Sequence, residues 1–196
     1  MSEVLSHPPA RRPRADAARN RDRLLAAAKA VFSAGGPEAS LEAVARRAGV
    51  GIGTLYRHFP TREALFEAVY RREVDELAAL AEACDAAPAE ALRRWVRTNV
   101  EFVATKKGMA AALALAAYNK DLTAYSFARL TEAAALLLDR ARAAGALRAE
   151  IAPQELLRAL FGFCMANDQP GWREAALRLI DVFLDGLLAP RPGETR

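Results

Sequence analysis

Apolar residues recur every three or four positions along most of the chain, which is the spacing of one face of an α-helix. No segment shows sustained alternation of apolar and polar residues flanked by hairpin turns. The abundance of alanine and leucine also favours helix. The pattern predicts an all-α chain of about nine helices, near residues 21–35, 40–48, 51–59, 62–84, 89–106, 109–118, 121–144, 153–164 and 172–188.

Residues 40–65 combine short helices with sharp stops. Ser40 is placed to cap a helix that Gly49 ends after about two turns. A second short helix over 51–59 follows at once and stops at Pro60. Two short helices joined at a small residue are what a helix-turn-helix requires, so we predict this motif here.

The second short helix projects polar and cationic side chains outward, and a helix of this kind can enter the major groove of DNA. A generic helical hairpin would explain the turn, but not the exposed Thr, Tyr, Arg and His beside Arg46, Arg47 and Arg62. We therefore favour DNA binding over a plain surface. The outward residues are Gly51, Ile52, Gly53, Thr54, Tyr56, Arg57 and His58.

Charge is concentrated at the amino-terminal end. Residues 1–62 hold eleven Lys or Arg against five acidic residues, a net charge of +6, whereas the remainder has seventeen against nineteen, a net charge of −2. This asymmetry is expected of a chain that meets a polyanion at one end. The alternative is a solvated basic arm, because basic termini are common.

The segment 40–65, SLEAVARRAG followed by VGIGTLYRHFPTREAL, resembles the TetR family of bacterial transcriptional regulators. The resemblance extends over about residues 22–70, and the rest of the chain matches only in its helical layout. It implies an all-α homodimer with a three-helix DNA-binding domain. It also implies a carboxy-terminal domain that binds a small effector and changes the separation of the two DNA-reading heads.

Roles are carried over only inside the matched motif. Gly51, Ile52 and Gly53 match positions that read bases in the family, but glycines offer no side-chain hydrogen bonds. Base readout would then rest on Ile52 against a thymine methyl group, on Thr54, or on Arg57. The residues that match phosphate contacts are Thr54, Tyr56, His58 and Arg62, with Ser40 and Arg46 as further candidates.

Some of these residues also have a plain structural explanation. Tyr56 can pack partly against the first helix, Ser40 can serve only as a cap, and Arg46 and Arg47 can be solvated. A flexible basic arm, with Arg11, Arg12, Arg14 and Arg19, could compensate for weak readout by entering a narrow minor groove.

The last two predicted helices are apolar over more than one face. We expect them to join two copies of the chain, as the resemblance implies, in a four-helix bundle that spaces the heads for a palindromic operator. The alternative is that these residues form the core of their own domain. The candidates are Leu156, Leu160, Leu177, Ile180, Phe183, Leu184 and Leu187.

An effector pocket is expected among the apolar and aromatic residues of the second domain. The alternative is plain core, since aromatic residues at helical spacing are more often core than ligand cages. The mostly apolar set suggests a mostly apolar effector. The candidates are Trp95, Asn99, Phe102, Met109, Leu113, Tyr118, Tyr125, Phe161 and Met165.

Catalytic chemistry is not indicated. The two histidines, His7 and His58, have no nucleophile at a meaningful spacing, and no metal or cofactor motif is present, so we predict no enzyme, no metal and no cofactor. Cys84 and Cys164 suit buried positions in a reducing cytosol. The longest apolar run, 109–118, is shorter than the roughly 18 residues of a membrane span. No secretory signal is expected either, which predicts a cytoplasmic protein without membrane contact.

These observations predict a flexible arm (1–20), a DNA-binding domain (21–70), an effector-binding and dimerisation domain (71–190) and a mobile tail (191–196). The expected function is that of a repressor which binds double-stranded DNA at a palindromic operator and which a small effector releases. An activator, or an architectural DNA-binding protein without effector response, is the alternative.

Overall fold

Eight helices contain most of the residues that the computed structural model describes, which are 13–35, 40–112, 120–166 and 169–188. Within these residues there is no strand, and the β pairing described is one isolated antiparallel bridge between Leu147 and Leu188. The all-α prediction is confirmed. The helices are α1 (Pro13–Gly35), α2 (Leu41–Ala48), α3 (Ile52–His58), α4 (Arg62–Ala83), α5 (Pro88–Ala112), α6 (Lys120–Ala143), α7 (Pro153–Met165) and α8 (Trp172–Leu187).

The chain divides into two compact units, Met1–Val69 and Tyr70–Arg196, and the boundary falls inside α4. In the first unit, α1 packs against α2, and α2 packs against α3. Burial of each large apolar side chain contributes about 1.5–3 kcal/mol to folding. The fully buried side chains of the first unit come from α1, α2, α3 and the beginning of α4, and they include Leu24, Ala28, Phe32, Val44, Leu55 and Leu65.

In the second unit, α5 packs against α6, α7 and α8, while α7 also packs against α6 and α8. Ion pairs at the surface join α5 to α8. In two of them, Arg93 Nη2 lies 2.7 Å from Asp185 Oδ1, and Arg97 Nη1 lies 2.6 Å from Asp181 Oδ2. The hydrogen bond to Asp181 raises the pKa of Arg97. The core of this unit includes Trp95, Val100, Leu130, Leu137, Leu157, Ile180 and Leu184.

The first helix begins earlier than the sequence predicts. The flexible arm was expected to reach residue 20, but α1 begins at Pro13, a residue whose fixed φ suits the first turn of a helix. Arg19 therefore lies in a helix and pairs with Asp16. Arg11 and Arg12, together with the side chain of Arg14, lie outside the described residues.

The separate helix predicted over 109–118 is not observed where the structure describes it. Residues 109–112 continue α5, and 113–119 lie outside the described residues. One interior glycine, Gly108, costs a helix only about 1 kcal/mol relative to alanine. The buried residues Phe102 and Val103 anchor the preceding turn of α5. The described residues therefore form eight helices rather than about nine.

Candidate nucleic-acid interface

The turn between α2 and α3 is built by local hydrogen bonds. Ser40 caps α2, because its Oγ accepts a hydrogen bond from the Ala43 amide at 3.1 Å. Gly49 ends α2 with φ 64°, a left-handed conformation that favours glycine, and its amide donates to the Arg46 carbonyl oxygen at 3.1 Å. The helix-turn-helix is thus specified by residues close together in the chain.

Buried side chains hold α3 against the rest of the first unit. Leu55 has no exposed surface and Phe59, which follows the helix, is also buried. Thr61 caps α4, since its Oγ1 accepts a hydrogen bond from the Ala64 amide at 3.1 Å. With one apolar anchor in the helix and another at its end, α3 has a defined orientation on its unit.

The outward side of α3 carries the residues that the sequence placed there. Gly51, Gly53 and Arg57 are exposed, as are Ile52 at 37% and Tyr56 at 46%. Thr54 and His58 are half-buried. An added Cβ at Gly51 or Gly53 would have open space around it, and neither residue has a positive φ. Their lack of side chains is not required by the fold, and it leaves the α3 backbone open to close approach.

The remaining candidate contacts differ in their surroundings. Arg46 and Arg47 are exposed on α2. Ser40 is exposed, and its oxygen accepts the capping hydrogen bond. Arg62 is half-buried, with its Cζ 5.3 Å from the centre of the Phe32 ring, so this guanidinium also packs against the first unit's core.

Two arginines of α1 that the sequence did not mark as functional contact the helix-turn-helix. Arg23 Nη2 donates to the Gly49 carbonyl oxygen at 3.3 Å, and Arg21 Cζ lies 5.0 Å from the centre of the Phe59 ring. Both pairs join residues more than twenty-five positions apart, so no local pattern predicts them. The available signal was only that both arginines immediately precede the apolar face of α1, which begins at Leu24.

The predicted effector residues differ in their burial. Trp95, Asn99 and Phe102 are buried in the second unit, and Tyr125 and Phe161 are half-buried. Met165 is 50% exposed, so its side chain is not part of the core of this unit. It lies in the last turn of α7, where its helical spacing resembles that of the core residues. Met109, Leu113 and Tyr118 have side chains outside the described residues.

Asn99 is a polar residue inside an apolar core. Its side chain has no exposed surface, and its Nδ2 donates to the Trp95 carbonyl oxygen at 2.9 Å. The indole Nε1 of Trp95 donates to the Leu77 carbonyl oxygen at 2.9 Å. Asn99 Oδ1 is buried and accepts no hydrogen bond from the part of the chain that the structure describes. An acceptor of this kind costs about 1–3 kcal/mol when left unsatisfied.

Tyr125 contacts α4. Its hydroxyl donates to Asp75 Oδ1 at 2.6 Å, and Arg71 Cζ lies 4.5 Å from the centre of its ring. The hydrogen bond to Asp75 raises the pKa of Tyr125 above its ordinary value. Tyr125 therefore joins α6 to α4, a role that its aromatic character alone did not predict.

Most of the predicted dimer residues are core residues of one chain. Leu156, Leu160, Ile180, Leu184 and Leu187 are buried inside the second unit. They have little surface left for a partner, so the alternative explanation holds for these five. Leu177 and Phe183 are half-buried. The exposed apolar side chains of α8 are Leu179 at 48% and Val182 at 72%, which the sequence analysis did not select.

Among the described residues, no group of three or more His, Cys, Asp or Glu side chains could hold a metal ion. No helix in the described segments is long and apolar enough to cross a membrane. Cys164 is buried as predicted, whereas Cys84 is half-buried.

Comparison with known proteins identifies both units. Residues 24–69 match the family described as bacterial regulatory proteins, tetR family, and residues 87–189 match the carboxy-terminal domain described as transcriptional regulator SbtR-like. The chain is 45% identical over 58 residues to the HTH-type transcriptional repressor KstR of Mycolicibacterium smegmatis. That match covers 29% of this chain and 28% of KstR, so it spans less than a third of that relative.

Two solved structures are similar over nearly their whole length. A TetR transcriptional regulator from Streptomyces coelicolor is 44% identical, with a TM-score of 0.76, and the match covers 87% of this chain and 99% of that one. A TetR transcription regulatory protein from Mycobacterium vanbaalenii is 35% identical, with a TM-score of 0.72, over 90% of this chain and 99% of that one. Together with the fold and the helix-turn-helix, these similarities establish that the chain belongs to the TetR family of transcriptional regulators.

Proposed function

We propose that the protein is a repressor that binds a palindromic operator as a homodimer and is released when a small, mostly apolar effector binds the second unit. The observation that carries the proposal is the exposure of Ile52, Tyr56 and Arg57 on a short helix held by the buried Leu55. KstR, whose name describes a repressor, is similar to this chain over 58 residues.

DNA recognition in this proposal combines apolar and charged contacts. Ile52 offers an apolar contact to a thymine methyl group, and Arg57 offers hydrogen bonds to base edges or phosphates. We assign phosphate contacts to Tyr56, Arg46 and Ser40, and these contacts set the register. Thr54, His58 and Arg62 are less exposed, and we assign them phosphate contacts at the edges of the interface. Gly51 and Gly53 allow the α3 backbone to approach the bases closely.

The dimer contact in this proposal lies on the outer face of α8. Ala175, Leu179, Val182 and Gly186 follow one another at spacings of four, three and four residues, which places them along one stripe of the helix. This stripe, here called the α8 stripe, is distinct from the buried face that holds Ile180. A twofold axis through such a stripe would bring two copies of it together.

The effector in this proposal occupies the second unit near Asn99. The buried Oδ1 of Asn99 is available as a hydrogen-bond acceptor, and the neighbouring Trp95 and Phe102 supply apolar surface. Pockets that combine apolar walls with few polar groups are typical of small-molecule sites. For release, the effector must bind the DNA-incompetent state more tightly than the DNA-bound state.

Selection from genomic DNA tests the proposal. The purified protein is incubated with sheared DNA from its source at about physiological salt, where non-specific binding is weak, and the retained fragments are sequenced. A few fragments that share a palindrome are expected. Equal retention of all fragments would favour an architectural DNA-binding protein, and retention of none would contradict DNA binding by the protein as purified. Loss of a palindromic fragment on adding a small molecule would distinguish effector release from constitutive binding.

A further inference from the structure

Two arginines of α1 lie at opposite ends of the recognition helix α3. Arg23 reaches the turn before α3, where its Nη2 donates to the Gly49 carbonyl oxygen at 3.3 Å. Arg21 reaches the residue after α3, where its Cζ lies 5.0 Å from the centre of the Phe59 ring. The guanidinium groups are therefore held in place by the helix-turn-helix itself.

These contacts leave most of each guanidinium available. A guanidinium has five N–H donors, and Arg23 uses one of them in a single long hydrogen bond. A cation–π contact such as that of Arg21 holds a guanidinium beside a ring without using its N–H donors. Both residues are exposed. Each is thus oriented by its neighbours and still able to bind an anion.

Neither guanidinium is neutralised by a carboxylate among the described residues. Several other arginines are neutralised in this way. Arg19 pairs with Asp16, and in the second unit Arg93 and Arg97 pair with Asp185 and Asp181. Arg21 and Arg23 therefore add two uncompensated charges beside the helix that faces DNA in the proposed function.

The dimensions of α3 suit a contact at each end. A helix of seven residues is about 10 Å long, and the major groove of B-DNA is about 12 Å wide, with a phosphate backbone on each side. Cations at both ends of α3 are therefore spaced to reach phosphates at the borders of the groove. Arginine is suited to this role because its planar fork can bind phosphate through two hydrogen bonds.

We propose that Arg21 and Arg23 form a phosphate-binding pair on α1, which clamps the DNA backbone on both sides of α3. The inference rests on the proposed DNA binding and adds a contact element outside the helix-turn-helix. It also gives the contacts to Gly49 and Phe59 a function, because they orient the two guanidinium groups before DNA arrives. Such preorganisation lowers the entropic cost of binding.

The test uses the salt dependence of binding by the full-length protein. The probe is a mixed-sequence duplex of about 25 base pairs, whose binding is dominated by phosphate contacts. Affinity is measured between about 50 and about 200 mM salt for the unaltered protein and for the variants Arg21→Gln and Arg23→Gln. Each variant is expected to reduce the slope of log K against log salt by about one for each phosphate that it no longer binds, or about two in a dimer. If the slope is smaller by two, raising the salt over this range weakens binding by the variant roughly tenfold less than binding by the unaltered protein.

Three controls separate phosphate binding from other causes. Arg21→Lys and Arg23→Lys retain the charge and should retain the slope. Arg94→Gln removes an exposed charge from α5 and should leave the slope unchanged. Unaltered thermal unfolding shows that each variant is folded.

Four results would overturn the inference. Weaker binding with parallel slopes would mean that the arginines only position α3. An equal change of slope in Arg94→Gln would mean that only net charge matters. Glutamine variants that bind as the unaltered protein does would reject this inference alone, whereas failure of the unaltered protein to bind the duplex would reject the proposed function as well.

Discussion

At the scale of single residues, Gly49 lies in a position that favours glycine for two reasons. Its φ of 64° lies in the left-handed region, which costs other residues roughly 1–2 kcal/mol. A Cβ at this position would also lie 2.6 Å from Arg23 Nη2, a separation that requires the guanidinium to move. The residue that shapes the helix-turn-helix thus also orients one arginine of the α1 pair.

Gly49→Ala is expected to lower the free energy of unfolding by about 1–2 kcal/mol, because the left-handed backbone conformation becomes strained. It should also weaken DNA binding, because Arg23 is displaced. Gly162→Ala on α7 is the matched control, since Gly162 has no positive φ, has open space around its Cα and lies outside the proposed DNA interface. Thermal unfolding measures the change in stability, and duplex binding measures the change in affinity for DNA. Equal stability of the two variants would contradict the argument.

Asn99 gives a second prediction at this scale. Asn99→Leu is expected to leave the free energy of unfolding within about 1 kcal/mol of its original value or to raise it, because the change removes an unsatisfied buried acceptor. Asn99→Asp should instead destabilise the protein by several kcal/mol, since it places a charge in the same apolar surroundings. Denaturant unfolding compares the two variants. A decrease of more than about 2 kcal/mol in Asn99→Leu would show that Oδ1 already has a partner in the folded protein.

At the scale of elements, polar contacts join α4 to α6 at three levels of the second unit. Tyr70 donates to Ser126 Oγ at 3.0 Å, and Tyr125 donates to Asp75 at 2.6 Å. Farther along α4, Arg140 donates to the Ala81 carbonyl oxygen at 3.0 Å. The boundary between the two units falls within α4, so these contacts lie on a helix that contributes residues to both units.

The Tyr125 contact is expected to make stability depend on pH. Its pKa is raised in the folded protein, so the stabilisation is complete below the ordinary value of 10.0 and disappears as pH rises through the folded-state pKa. The melting temperature of the unaltered protein should exceed that of Tyr125→Phe at about pH 8, and the difference should shrink above about pH 10.

Tyr56→Phe serves as the control for this measurement, because the Tyr56 hydroxyl is on an exposed side chain of α3. Its melting temperature should follow that of the unaltered protein across the same pH range. A difference between Tyr125→Phe and the unaltered protein that stays constant up to about pH 11 would mean that the hydroxyl of Tyr125 does not titrate in the way proposed.

At the scale of the whole molecule, α8 has apolar residues on two faces with different tasks. Ile180 and Leu184 are buried in the second unit, whereas Leu179 and Val182 are exposed. Exposed apolar side chains in a continuous stripe are typical of interaction surfaces. The proposed dimer therefore uses residues adjacent to the core residues rather than the core residues themselves.

Val182→Asp is expected to raise the dissociation constant of the dimer by roughly 100-fold, because a charge would be buried at the α8 stripe. Arg94→Asp, an exposed change on α5, should leave it unaltered. Leu184→Ala, on the buried face of α8, should lower the free energy of unfolding by about 2–5 kcal/mol. Sedimentation equilibrium measures the dissociation constant of the dimer, and denaturant unfolding measures the free energy of unfolding. An unchanged dissociation constant in Val182→Asp would mean that the dimer contact does not lie on the α8 stripe.

Features that depend on nearby residues were predictable from the sequence. The cap at Ser40, the turn at Gly49 and the stop at Pro60 depend on hydrogen bonds and backbone preferences that span three or four residues. The outward positions of Ile52, Tyr56 and Arg57 then followed from helical spacing alone. Local signals of this kind were therefore sufficient to identify the helix-turn-helix and the all-α class.

Tertiary structure decided which apolar faces of the helices are buried and which distant residues contact one another. Helical periodicity could not rank the two apolar faces of α8, because burial depends on the helices that cover a face. It could not pair Arg21 with Phe59 or Tyr125 with Asp75, since those contacts join distant parts of the chain. The sequence by itself determined the local motif and its exposed chemistry. The packing of one helix on another determined which residues form the core, which remain available to a partner, and where the α1 arginines lie.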